Sequence, residues 1–180
     1  MTLKRRNPPY AGTEVDPHKS KVQIENLLRK YGVEGVQWSE IWSQNVVEMK
    51  FPLEDEKHRP VLVRLRPPPF SVKRKTWNAE KGHYEMVDAP NWAQSYRLLY
   101  NYLKTKLEAV AFGLRDVEEE FLADILVRGP DGREATVKEL VDQQIDAGQI
   151  RPMLPGGAEP TVARKHGEVV DADYTVGGRA

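Results

Sequence analysis

Eight lysines and arginines fall between Lys57 and Lys81, with Glu80 the single acidic residue among them. They are Lys57, Arg59, Arg64, Arg66, Lys73, Arg74, Lys75 and Lys81, with Phe70 and Trp77 interleaved. Cations in such a run neutralise phosphates, and aromatics stack on bases. That pairing is the chemistry of single-strand binding on a sheet. Lys4, Arg5 and Arg6 supply a second basic group near the N-terminus that could reach another part of a nucleic-acid backbone. The plain alternative is a solvated sheet face, where Lys and Arg guard against aggregation.

Other chemistry finds less support. His18, His58, His83 and His166 share no metal-ligand spacing. None of Ser20, Ser39, Ser43, Ser71 and Ser95 sits in a Gly-x-Ser-x-Gly elbow. Gly156-Gly157 and Gly177-Gly178 are not followed by the Lys-Thr/Ser of a phosphate loop. Glu118, Glu119 and Glu120 are consecutive, so on a helix they diverge and suit its N-terminal turn better than a cation site. Cysteine is absent, which removes disulfides and thiolate chemistry. The expectation is a protein that is not an enzyme, with no metal and no cofactor.

The zero net charge conceals a split. Residues 1–113 hold 19 Lys/Arg against 13 Asp/Glu, a difference of +6, and residues 114–146 hold 4 against 10, a difference of −6. Residues from 147 onward balance. One molecule then carries a basic and an acidic surface, or the two stretches attract each other within the fold or across a dimer. At 39% apolar and 30% charged the chain is globular in composition. No apolar run reaches the roughly 20 residues of a membrane span. The basic, Pro-rich start does not resemble a secretory signal, so a cytoplasmic location without membrane contact is expected.

The elements that must position the basic run follow from periodicity. Asp16-Pro17 caps a helix whose Ile24, Leu27, Leu28 and Tyr31 share one face, and Gly32 stops it. Three strands come next, at Val36–Trp42, Val46–Phe51 and Val61–Arg66, the last ended by three prolines. A loop is expected over Ser71–Ala89. A long helix follows from Asn91 to Phe112, with Trp92, Tyr96, Leu99, Tyr100, Leu103, Leu107 and Val110 in line. Two short helices end the order: Val117–Leu126, burying Phe121, Ile125 and Leu126, and one from the Thr136/Glu139 capping box to Ala147 with Val137, Leu140 and Val141 inward. Pro130-Asp131-Gly132 is a turn between them. The fold class is α+β: a helix, a three-stranded antiparallel meander, a long helix, then two short helices. Residues 1–16 read as an extended basic arm, 17–150 as one domain and 151–180 as a flexible tail.

With Val61, Val63 and Leu65 against the helices, Arg64 and Arg66 stand on the open face of the sheet, joined by Lys50 if Met49 and Phe51 are buried. Lys50, Arg64, Arg66, Lys73, Arg74 and Lys75 are then the phosphate contacts, and Trp77 the stacking residue. A competing use is a protein partner or a homodimer. Trp38 and Trp42 share a strand face, as core or as a bare patch. Tyr96, Tyr100 and Tyr102 spread over more than one face of the long helix.

Several local patterns occur in order: Tyr10-Ala11-Gly12-Thr13-Glu14-Val15, Lys19-Ser20, Leu27-Leu28, Tyr31-Gly32, Leu103 to Val110, Glu118 to Ala123, Pro130 to Arg133, and Gly148 to Pro155. Together they resemble a widespread family of uncharacterised proteins carried by phages, prophages and other mobile elements. The likeness touches most of residues 10–155. That family has no assigned activity, so it transfers no site residue. It implies a small accessory protein that handles nucleic acid or redirects another protein. The acidic-aromatic segment Glu168 to Tyr174 is a possible docking peptide. Nucleic-acid binding through the basic sheet face and loop is the leading expectation, and a protein–protein module or inhibitor of a host or defence protein the second.

Overall fold

A computed structural model of the chain describes residues 9–129 and 131–150. Lys4, Arg5, Arg6 and the segment 168–174 lie outside the described residues, as does Pro130. The chain divides into two compact units, Met1–Leu140 and Val141–Ala180. In the second, residues 141–150 hold the end of a helix and a turn at Gly148, whose φ is +72°.

The architecture is α+β. Helix α1 (Pro17–Lys30) begins where the Asp16 carboxylate accepts from the His18 N–H at 2.7 Å, satisfying a donor that the helix leaves open. It ends at Gly32, whose φ of +82° suits glycine. Strands β1 (Gln37–Ile41), β2 (Val46–Glu54) and β3 (Pro60–Leu65) form an antiparallel meander in that order. A 3-10 turn, Trp42–Gln44, joins the first two. Phe51 pairs with Val63, and Met49 with both Trp38 and Leu65. Val47, Met49, Phe51, Val63 and Leu65 are buried on one face. They pack with Ile24 and Leu28 of α1 and with Leu99, Leu103 and Leu107 of helix α2 (Trp92–Ala111). Period-2 burial in the strands meeting 3.6-residue stripes on the helices gives a single core.

Residues 71–90 depart from the expected loop. They form a two-stranded antiparallel hairpin, β4 (Ser71–Asn78) and β5 (His83–Pro90), separate from the three-stranded sheet. None of its residues is buried, so it lacks the apolar alternation that marks a strand. What holds it is local. Asn78 Oδ1 accepts from the N–H groups of Glu80 and Lys81 at 3.0 and 3.1 Å, and Gly82 turns the chain with φ +66°. At its base the Asn91 N–H donates to Phe70 O at 2.8 Å.

The acidic stretch also differs. The helix expected over 117–126 is a short α3 (Val117–Phe121) followed by a 3-10 turn (Leu122–Asp124) and β6 (Leu126–Arg128), which pairs with β7 (Glu134–Thr136). Ile125 bridges to Val63 on the free edge of β3. That tertiary pairing overrides the helical pattern of residues 122–126. Phe121 and Ile125 are buried as expected, whereas Leu126 is half-buried. Helix α4 (Val137–Asp146) opens with the expected capping box: the Glu139 N–H donates to Thr136 Oγ1 at 3.2 Å, and the Thr136 N–H to Glu139 Oε2 at 2.8 Å. Val141, expected inward, is exposed. Residues 9–12 make a turn rather than an extended arm, and Gln94 Nε2 donates to Pro9 O at 2.8 Å.

Candidate functional site

Alternation along β2 and β3 puts Glu48, Lys50, Arg64 and Arg66 on the sheet face away from the helices, as the pattern predicts. Each has an ion-pair partner there, and Arg66 remains exposed. The Arg64 side chain is 9% exposed, and its guanidinium donates to Glu139. Arg66 donates to Glu48 Oε2 at 3.1 Å and lies 3.6 Å from Glu139 Oε1. Lys50 donates to Glu134 Oε2 at 3.0 Å and lies 3.9 Å from Glu48. Glu134, Lys50, Glu48, Arg66, Glu139 and Arg64 thus alternate in sign as one chain of ion pairs.

Two carboxylates in the chain titrate low. Burial alone would push Glu139 up, but the Thr136 N–H and the guanidinium of Arg64, with Arg66 beside it, outweigh burial and hold it below the usual glutamate range. The Lys50 ammonium, hydrogen-bonded and close, does the same for Glu134.

The continuous cationic surface expected from Lys50, Arg64 and Arg66 is therefore corrected. The β6–β7 turn and the start of α4 bring Glu134 and Glu139 onto that face. Elsewhere Arg59 pairs with Glu118, and Lys106 lies 3.4 Å from Glu120 and 3.5 Å from Asp124. Lys50, Arg59, Arg64 and Lys106 of the basic stretch thus meet Glu134, Glu118, Glu139, Glu120 and Asp124 of the acidic one within the first unit, one of the alternatives the charge split allowed.

The second part of the basic run behaves differently. On β4–β5, Lys73, Lys75 and Trp77 share one face with Tyr84, Met86 and Asp88, and Arg74 points to the other. Lys73 and Arg74 have no ion pair among the described residues. Trp77 and Tyr84, directly opposite, meet edge to face at 5.1 Å, and the Lys75 ammonium sits 4.8 Å from the Tyr84 ring centre. Contacts of this kind contribute about 0.5–1.5 kcal/mol each, support that a two-stranded hairpin needs in water. Trp77, Tyr84 and Met86 remain 53%, 58% and 62% exposed. Tyr84 and Met86 escaped sequence reasoning. No apolar alternation marks them, because Met86 and Val87 are adjacent and Asp88 shares the face of Tyr84 and Met86.

Acidic groups on the hairpin are partly spoken for. Glu85 accepts from Lys81 Nζ at 2.7 Å and from Asn78 Nδ2 at 3.1 Å. Lys81 first, then Asn78, hold its carboxyl below the usual range. Asp88 stands opposite Lys73 on the aromatic face.

Of the residues expected to form a partner surface, Trp38, Tyr96 and Tyr100 do not stand bare. Tyr96 is buried, 3% exposed, edge to face with the half-buried Trp38 at 5.8 Å. Trp38 Nε1 donates to Glu25 Oε1 at 3.0 Å. Tyr100 is half-buried with the Arg97 guanidinium over its ring. These aromatics fasten the helices to the sheet. The side chain of Trp42 lies outside the described residues. Bare apolar side chains occur instead at Phe112 and Leu114, 79% and 78% exposed. They lie just beyond the Val110 and Ala111 that line a groove of about 490 Å³ with Val33, Leu53 and Val117.

Glu118, Glu119 and Glu120 diverge. Glu118 meets Arg59, Glu120 meets Lys106 and Arg115, and the Glu119 N–H is capped by Asp116 at 2.6 Å. Among the described residues no three His, Asp or Glu side chains are grouped to hold a metal ion, and no helix is long and apolar enough to cross a membrane. No protein-family model, curated protein or solved structure matches the chain.

Proposed function

We propose that this protein binds nucleic acid through the β4–β5 hairpin, as a non-catalytic accessory protein of the kind its resemblance to phage and mobile-element proteins implies. The observation that supports this reading is the separation of the basic residues into two classes. Lys50, Arg64 and Arg66 are ion-paired with the protein's own carboxylates, although Arg66 stays exposed. Lys73, Arg74 and Lys75 are exposed beside an exposed tryptophan. Unpaired cations next to an aromatic ring are what a phosphate backbone with accessible bases requires. Their charge supplies affinity through counterion release, so binding must weaken as salt rises.

The test is a mobility-shift titration with mixed-sequence oligonucleotides at low and moderate salt. Binding falls steeply with salt and is lost in K73A/R74A/K75A, while K50A is bound almost as well as the parent. Failure of the parent to shift any oligonucleotide at low salt would remove the reading.

The second reading, a protein–protein module, rests on Phe112, Leu114 and the apolar groove that precedes them along the chain. Largely exposed Phe and Leu side chains are a common mark of a partner site.

A further inference from the structure

We propose that the ligand of the hairpin is single-stranded, with its backbone on Lys73 and Lys75 and an unpaired base stacked on Trp77. This rests on the nucleic-acid reading above and narrows it to one substrate class. Three features of one face carry it.

The first is linear order. Lys73, Lys75 and Trp77 are alternate residues of β4, so their side chains stand in a row at a spacing of roughly 7 Å. An extended strand places its successive phosphates at a comparable interval. Two ammonium groups followed by a ring therefore match two phosphates followed by a base.

The second is what lies beside the row. Across from Lys75 is Met86, and across from Trp77 is Tyr84, both more than half exposed. A flat apolar ring gains by covering the face of a base. In a duplex those faces are already stacked and only base edges are offered. A two-stranded ribbon does fit the major groove. There, however, the polar edges would meet Trp77, Tyr84 and Met86, which return no hydrogen bonds, and both sides would be desolvated without compensation.

The third is charge placement. Lys75 lies over the Tyr84 ring, which holds it between the aromatic end and Lys73. Arg74 faces the other way, so a rigid duplex on one face would leave it unused, whereas a flexible strand can wrap the edge of β4 to meet it. Asp88, opposite Lys73, repels phosphate and confines the backbone to the β4 side of the face.

The experiment uses the full chain with a thymidine homo-oligomer, a uridine homo-oligomer and a mixed-sequence duplex of equal length. Binding is followed by anisotropy and tryptophan emission. Either single strand binds about 10-fold or more tightly than the duplex, the margin that one stacked base supplies. K73A/K75A flattens the salt dependence on single strands by about 1.4 in log–log slope, two phosphates at about 0.7 each. W77F keeps a ring and the hairpin and still binds, but loses the emission quench that base stacking gives the parent. Equal or tighter binding of the duplex, or an undiminished quench in W77F, overturns the single-strand assignment and leaves the nucleic-acid reading standing. Absence of binding to all three ligands removes both and leaves the hairpin to a protein partner. A preference for thymidine over uridine oligomers, or the reverse, decides between DNA and RNA within the same proposal.

Discussion

Glu139 and Arg64 are 75 positions apart in sequence, and their side chains form one ion pair on the face of the sheet opposite the helices. Glu139 is also the reciprocal member of the α4 capping box. One carboxylate therefore caps the start of a helix, neutralises a nearly buried guanidinium and touches Arg66. Removing it strands a charge and uncaps a helix together. E139A should destabilise the protein by about 1–3 kcal/mol in urea unfolding, from a lost helix cap and a guanidinium left without its partner. R64M, which leaves Glu139 with Thr136 and Arg66, should cost less. A double-mutant cycle between the two positions should give a coupling of at least about 1 kcal/mol. Additive effects would mean that the pair is not a mechanical link between β3 and α4.

The same carboxylates set the acid limit. Glu139 and Glu134 titrate below the ordinary glutamate value of 4.5. Asp55 titrates below 3.8: burial would raise it, but the Arg59 N–H, the Arg59 side chain and the Lys57 N–H prevail. A depressed folded-state pKa contributes stability above the unfolded value, and that stability is lost as pH falls through the folded one. Asp124 runs the other way, raised by burial against Lys106. Its protonation on acidification opposes the loss. With four lowered carboxylates among the described residues, Glu85 included, against one raised, melting temperature should hold from pH 7 to about 5 and then decline steadily. E134Q should soften the decline, and a flat profile down to pH 3 would refute the ion-pair account.

Much of this fold was legible because its signals are local. Asp16-Pro17, Gly32, the alternation of Val61, Val63 and Leu65, and the Thr136/Glu139 capping box each specify an element from a few neighbouring residues. The site was less legible for two physical reasons. The pairing of Arg64 with Glu139 depends on where a chain segment returns after 75 residues, and periodicity carries no such information. The β4–β5 hairpin packs no face on the core, so its strands have no buried side to betray them. Residues 122–126 had the opposite fault: a helical pattern gave way to one bridge between Ile125 and Val63.

The core itself should behave conventionally. Phe51 and Phe121 are fully buried and meet edge to face at 6.2 Å. They join the sheet to α3, at the start of the acidic stretch. F121A should cost about 3–5 kcal/mol, from lost burial plus the cavity left behind. F121L should cost clearly less. Circular dichroism under denaturant checks both, and near-equal losses would indicate that Phe121 packs more loosely than its burial implies.

The hairpin offers the opposite expectation. Its strands rest on no core, so its stability is separable from that of the sheet and helices. W77A/Y84A removes the cross-strand pair and the seat of Lys75. The hairpin should then open locally, while the urea midpoint of the whole protein moves by less than the equivalent of about 0.5 kcal/mol. Trypsin reports the opening directly, because Lys73, Arg74 and Lys75 are consecutive cleavage sites. The variant should be cut there well before the parent, with α1 and α2 still protected. W77F, which keeps a ring opposite Tyr84, should resist like the parent. If W77A/Y84A instead lowers the global midpoint as far as F121A does, the hairpin is a cooperative part of the core. Its exposed aromatics would then serve the fold rather than a ligand.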